Sequence, residues 1–131
     1  MTPEELLAEV VDLASDRKAL DIVSLDLRGM LGYTDYFVIC TGRSDRQVKA
    51  IHDGIHEGLK ARHGLLPRQV EGVSQAQWVL MDYLDVVVHV FTPERRDFYR
   101  LEQLWGETER VDLGALGGEG AVGALTAPPA A

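Results

Sequence analysis

The spacing of apolar residues changes several times along this chain, and each change marks an element. From Thr2 to Lys18, the residues Leu6, Leu7, Val10, Leu13 and Ala14 recur at helical intervals, so the segment reads as a helix with one buried stripe. Thr2 can cap it, Pro3 suits its first position and Glu5 completes a capping box. Asp21 to Arg28 then reads as a strand with Val23, Leu25 and Leu27 on one face. Gly29 to Gly32 reads as a loop. Tyr36 to Cys40 is apolar without a break, as expected of a central strand covered on both faces.

Gly42 ends that strand. Ser44 and Gln47 have the spacing of a second capping box, and the helix they open runs to about His63. Its buried stripe is Val48, Ile51, Ile55 and Leu59, and Gly64 suits its C-terminal cap. Gly54 and Gly58 each weaken this helix by about 1 kcal/mol relative to Ala, a loss that close packing against another element would explain. A short strand is expected at Gln69 to Glu71. Trp78 to Tyr83 and Val86 to Phe91 read as two strands joined by a tight turn. Thr92-Pro93-Glu94 opens a third helix, with Phe98, Leu101, Leu104 and Trp105 toward the core. Residues 1–105 therefore form one domain. From Gly106 the chain is rich in Gly, Ala and Pro, and 106–131 is expected to be a disordered acidic tail. The order of elements predicts an α/β (α+β) fold: a mixed sheet of about five strands with three helices.

Composition narrows the function classes. A length of 131 residues with 46% hydrophobic side chains suffices for one domain with one core. Cys40 is the single cysteine, so no intramolecular disulfide can form, which fits a reducing cytosol. The first residues, Met1-Thr2-Pro3-Glu4-Glu5, are acidic where a signal peptide would be basic. No apolar run approaches the ~18 residues of a membrane span, so a cytoplasmic location is expected. Net charge is −8, from 13 basic and 21 acidic residues, and no basic run is longer than Arg95-Arg96 in its part of the chain. That disfavours direct nucleic-acid binding and favours docking on a basic protein.

Candidate chemistry is sparse. Cys40 lies inside an apolar run, where a buried thiol is inert, and no activating partner for a nucleophile is evident. His52 and His56 are four apart on one helix, a spacing that can hold a metal, but no Glu follows His52 and only His63 offers a third ligand. A solvated helix edge is the simpler explanation, and no cofactor or metal is expected. Thr41-Gly42-Arg43-Ser44 ends a strand and opens a helix, an arrangement that can attract an anion, although capping alone accounts for Ser44. Strand-Gly-Ser-helix is also how a nucleotidyltransferase fold opens. Those enzymes hold Mg²⁺ with a D-x-D pair, and no two aspartates here are two apart. The nearest, Asp82 and Asp85, are three apart and flank a turn.

The informative stretch is Trp78 to Phe91. If Leu84-Asp85 forms a two-residue turn, Tyr83 pairs with Val86, Met81 with Val88 and Val79 with Val90, giving a core face. The opposite face carries Trp78 beside Phe91, Leu80 beside His89 and Asp82 beside Val87. Two readings stand for that second face. It is a binding patch with a Trp, a Phe and a carboxylate, or it lies under another helix. A register slip of one residue would exchange the faces.

At these residues the chain resembles the ribosome-silencing factor (iojap-like) family. The resemblance rests on Asp21-Ile22-Val23-Ser24-Leu25-Asp26-Leu27, on Thr34-Asp35-Tyr36-Phe37-Val38-Ile39-Cys40-Thr41-Gly42-Arg43-Ser44 and on Arg46-Gln47-Val48. It continues through Glu71-Gly72, Trp78-Val79-Leu80-Met81-Asp82-Tyr83, Asp85-Val86-Val87-Val88-His89-Val90-Phe91 and Phe98-Tyr99-Arg100-Leu101-Glu102-Gln103-Leu104-Trp105. It spans about residues 3 to 105. It implies a nucleotidyltransferase-like fold without the catalytic carboxylates. It also implies a non-enzymatic translational repressor that binds ribosomal protein L-fourteen of the large subunit and blocks subunit joining when nutrients are short. The rival classes are a large-subunit assembly factor and a nucleotide-binding enzyme using the Ser44 helix terminus. Glu71, Trp78, Asp82, Tyr83 and Asp85 are the expected partner-binding residues, on strands expected to end at one edge of the domain. Arg96 and Tyr99 join them on the resemblance alone. An apolar sheet face built for a partner also predicts a homodimer when that partner is absent. Two departures stand out. The family commonly has Gly where this chain has Leu84, a residue that resists φ > 0, so another turn type is expected. The tail after Trp105 exceeds the usual family end.

Overall fold

The computed structural model describes residues 1–29, 32 and 34–99, with the side chains of residues 98 and 99 left out. Helix α1 spans Pro3–Asp16 and is capped as expected: Thr2 Oγ1 accepts from the Glu5 amide at 3.1 Å, and Glu5 Oε1 accepts from the Thr2 amide at 2.9 Å. Strand β1 follows at Leu20–Asp26, β2 at Tyr36–Thr41, and α2 at Asp45–His63. Strands β3 (Gln69–Glu71), β4 (Trp78–Asp82) and β5 (Val86–Phe91) lead into α3, Pro93–Tyr99. The fold is α+β: the three helices accompany a five-stranded mixed sheet in the order β1-β2-β5-β4-β3. Among the described strands only β2 and β5 run parallel, and α2 lies on the connection between them. The third helix expected to continue through Trp105, and the tail 106–131, lie outside the described residues.

Both faces of the sheet are buried. On one, Ile22, Val38, Cys40, Val79, Met81, Val88 and Val90 pack with the stripes of α1 and α2. On the other, Val23, Leu25, Leu27, Phe37, Ile39, Leu80, Val87 and Phe91 form a second cluster, with Trp78 packed against its margin. Strand β2 is buried at every position, as an unbroken apolar run requires.

Three details differ from the expected elements. Strand β1 begins at Leu20 and carries a bulge before Val23, with Asp21 at φ +47°, so its alternation is broken at the start. The capping box at α2 is only half formed. Ser44 Oγ accepts from the Gln47 amide at 3.2 Å, but the Gln47 side chain donates to the Arg17 carbonyl and so ties α2 to the end of α1. The glycines of α2 do serve packing. A Cβ on Gly58 would stand 2.5 Å from Leu13 Cδ2, and one on Gly54 would stand 2.6 Å from Arg17 Cγ, so α1 lies closer than an alanine would permit.

Candidate functional site

The β4–β5 hairpin has the register that its two-residue gap predicts. Trp78 pairs with Phe91, Leu80 with His89 and Asp82 with Val87, while Val79 and Met81 face the helices. The turn closes with the Tyr83 amide donating to the Val86 carbonyl at 2.9 Å. Leu84 takes φ +76°, the conformation a leucine was expected to avoid. Two contacts hold it there. The Asp82 carboxylate accepts from the Leu84 amide at 2.8 Å, and the Asp85 amide donates back to the Tyr83 carbonyl at 3.0 Å. The Asp85 carbonyl in turn accepts from the amides of Asp35 and Tyr36, both at 3.0 Å, which fastens the hairpin to the start of β2.

At the other end of the hairpin the second face is aromatic. The Trp78 and Phe91 rings lie 4.6 Å apart, and the Phe37 and His89 rings meet edge to face at 5.3 Å. Trp78 Nε1 donates to His89 Nδ1 at 3.1 Å. An indole nitrogen can only donate, so Nδ1 must be the acceptor and the imidazole proton sits on Nε2. That Nε2 is buried and has no hydrogen-bond partner. Burial also holds the imidazole neutral, pushing its pKa down to about 3.

The groups with conceivable chemistry are placed unhelpfully for it. Cys40 is fully buried and its thiol is pushed up to about 12 by desolvation. The His52 and His56 rings lie 5.7 Å apart, tilted by 31°, with His52 Nδ1 at 2.9 Å from Asp53, whereas His63 turns to Glu9 at 3.4 Å. The helix terminus at Ser44 borders an open cleft of about 470 Å³ lined by Arg43, Asp45, Gln77, Thr92, Glu94 and Arg95, in which cations and carboxylates alternate.

Comparison with known proteins identifies this arrangement. The family model described as "Ribosomal silencing factor during starvation" matches residues 1–127. The chain belongs to the ribosomal silencing factor family. It is 43% identical over 115 residues to ribosomal silencing factor RsfS of Halalkalibacterium halodurans, covering 86% of this chain and 96% of that one. It is 41% identical over 113 residues to the same-named protein of Bacillus subtilis, covering 86% and 95%. A crystal structure from Bacillus halodurans superposes with a TM-score of 0.74 at 40% identity, over 83% of this chain and 98% of the other. The family match runs past residue 105, where the resemblance read from sequence ends.

In this ribosomal silencing factor the candidate residues fall into two groups. Asp82, Tyr83 and Asp85 gather at the hairpin turn, but Trp78 lies at the opposite end of β4, about 13 Å away by strand geometry. The expectation of a single edge fails because β4 opens at Trp78 and the turn closes the other end. Asp82 pairs with Arg68 at 2.8 Å. The Tyr83 side chain is buried on the helix face and its hydroxyl has no partner. Glu71 is exposed on edge strand β3, opposite Leu80, and accepts from Gln69 at 3.0 Å. Arg96 is engaged within the domain: its Nη1 donates to the Asp21 carbonyl at 2.7 Å and to Thr41 Oγ1 at 2.8 Å, tying α3 to the bulge of β1 and the end of β2. The Tyr99 side chain lies outside the described residues. Two residues of the hairpin were not singled out from sequence. His89 carried no visible signal beyond a polar residue in an apolar run, and Leu84 was visible only as a poor turn residue.

Proposed function

We propose that this chain is a translational repressor of the cytosol that binds the large ribosomal subunit through ribosomal protein L-fourteen and blocks subunit joining when nutrients are short. The observation that carries the reading is the family match over residues 1–127. A net charge of −8 supports it, because ribosomal proteins are basic and such a surface draws an acidic partner by long-range attraction. The docking residues are Trp78, Asp82 and Asp85 with Glu71 beside them; Tyr83, buried on the helix face, supports the turn from inside, and Arg96 and Tyr99 are secondary. No substrate is turned over. The free chain covers the same surface with a second copy, which dilution-dependent light scattering would detect. Sedimentation of ribosomes with added protein tests the main reading. The expected profile loses joined ribosomes and gains free small subunits and protein-bound large subunits. An unchanged joined peak at saturating protein refutes it. Accumulation of immature large subunits in cells lacking the protein, with mature subunits joining normally, would indicate an assembly factor.

A further inference from the structure

Leu84 is an expensive choice for its position. Its backbone is left-handed, at φ +76°, where Gly or Asn sits without the clash a bulky side chain meets. Nor is Leu84 a core residue, since 49% of its surface is exposed. The conformation is nonetheless firmly imposed, by the Asp82 carboxylate on the Leu84 amide and by the Asp85 carbonyl on two amides of the neighbouring strand. A strained, rigid and exposed apolar side chain points to a use outside the fold. Leu66, 55% exposed, lies at the same end of the sheet: Arg68, two residues on, donates its amide to the Asp82 carbonyl at 2.7 Å.

We propose that Leu84 is an apolar anchor by which the hairpin docks on its protein partner. The inference rests on the ribosome-binding reading above and adds an apolar contact that this chain has where the family commonly has Gly. The occupant is a basic protein surface with an apolar recess among cationic side chains. Charge argues for it. Asp82 is paired with Arg68, whereas Asp85, next to Leu84, makes no ion pair among the described residues and leaves an acidic group at the tip. The Asp85 carboxylate repels a nucleic-acid backbone. Because the tip is held before binding, little ordering is lost when Leu84 is buried.

The test uses the full chain with Leu84→Gly and Leu84→Asn, both of which accept a left-handed backbone, and measures thermal midpoint and equilibrium binding to purified large subunits. The expected result has opposite signs: a midpoint raised by a few degrees and binding weakened by roughly tenfold, as loss of a buried leucine at an interface implies. A strained residue with no outside contact would raise the midpoint and leave binding within twofold, which overturns the proposal while the ribosome-binding reading stands. Loss of self-association with ribosome binding intact would likewise overturn it, assigning the anchor to a second copy. Failure of the unaltered protein to bind large subunits overturns the proposal together with the reading on which it rests.

Discussion

The Trp78–His89 contact supports a prediction whose sign depends on which partner is removed. Trp78→Phe keeps a ring against Phe91 but deletes the indole N–H, so both nitrogens of a fully buried imidazole lose all partners. Stranding a buried acceptor costs about 1–3 kcal/mol, and the smaller ring adds about 1 kcal/mol. His89→Leu does the reverse. It removes a buried nitrogen that has no partner already, and the indole N–H that loses this acceptor belongs to a half-buried residue, not a fully buried one. Its expected effect is within about 1 kcal/mol of zero. The double variant should recover about 1–2 kcal/mol of the Trp78→Phe loss, because two apolar partners replace a polar pair. Urea unfolding followed by far-ultraviolet circular dichroism measures all four proteins without relying on fluorescence, which Trp105 would confuse. Equal losses from the two single variants, or strict additivity in the double, would refute the assigned hydrogen bond and tautomer.

Acid should destabilise the protein through His89. Its pKa falls from 6.5 to about 3 on folding, so its contribution is complete above pH 6.5 and is lost below it, as the unfolded chain takes up a proton that the folded chain refuses. The loss is about 1 kcal/mol per pH unit, and His89→Leu should flatten the stability profile between about pH 6.5 and 5; an unaltered slope would refute it. Gly72→Ala should cost about 2–5 kcal/mol, since φ is +86° there and a Cβ would stand 2.1 Å from the Trp78 carbonyl oxygen. A thermal midpoint within two or three degrees of the parent would contradict that geometry.

What was legible in the sequence was what periodicity and local chemistry determine. The register of β4 against β5 follows from two apolar runs and a two-residue gap, so the pairs Trp78–Phe91, Leu80–His89 and Asp82–Val87 could be written down in advance. The cap of α1 follows from Thr2 and Glu5 in the same way. Features that depend on a distant neighbour were not legible. Gln47 left its capping box for the Arg17 carbonyl, thirty residues away. The bulge at Asp21 coincides with the Arg96 guanidinium, which reaches its carbonyl from α3. Leu84 was expected to reject φ > 0, and local hydrogen bonds to Asp82 and Tyr83 outweighed that preference. For the site, the residue types were readable but their separation along β4 was not, because spacing in sequence does not say which end of a strand meets solvent.

The distribution of charge gives an argument for docking that does not depend on any single candidate residue. Burial pushes the Cys40 thiol and the Tyr83 hydroxyl up and the His89 imidazole down, so each is held in its neutral form. A general acid, base or nucleophile needs the opposite, a pKa drawn toward the working pH at a place a substrate can reach. The carboxylates of Glu5, Glu9 and Asp26 are lowered by hydrogen bonds from Thr2, Arg62 and Arg28 respectively, which makes them firmer anions and poorer proton carriers. A neutral interior under a strongly acidic surface is poorly suited to moving protons. It is well suited to long-range attraction toward a basic partner.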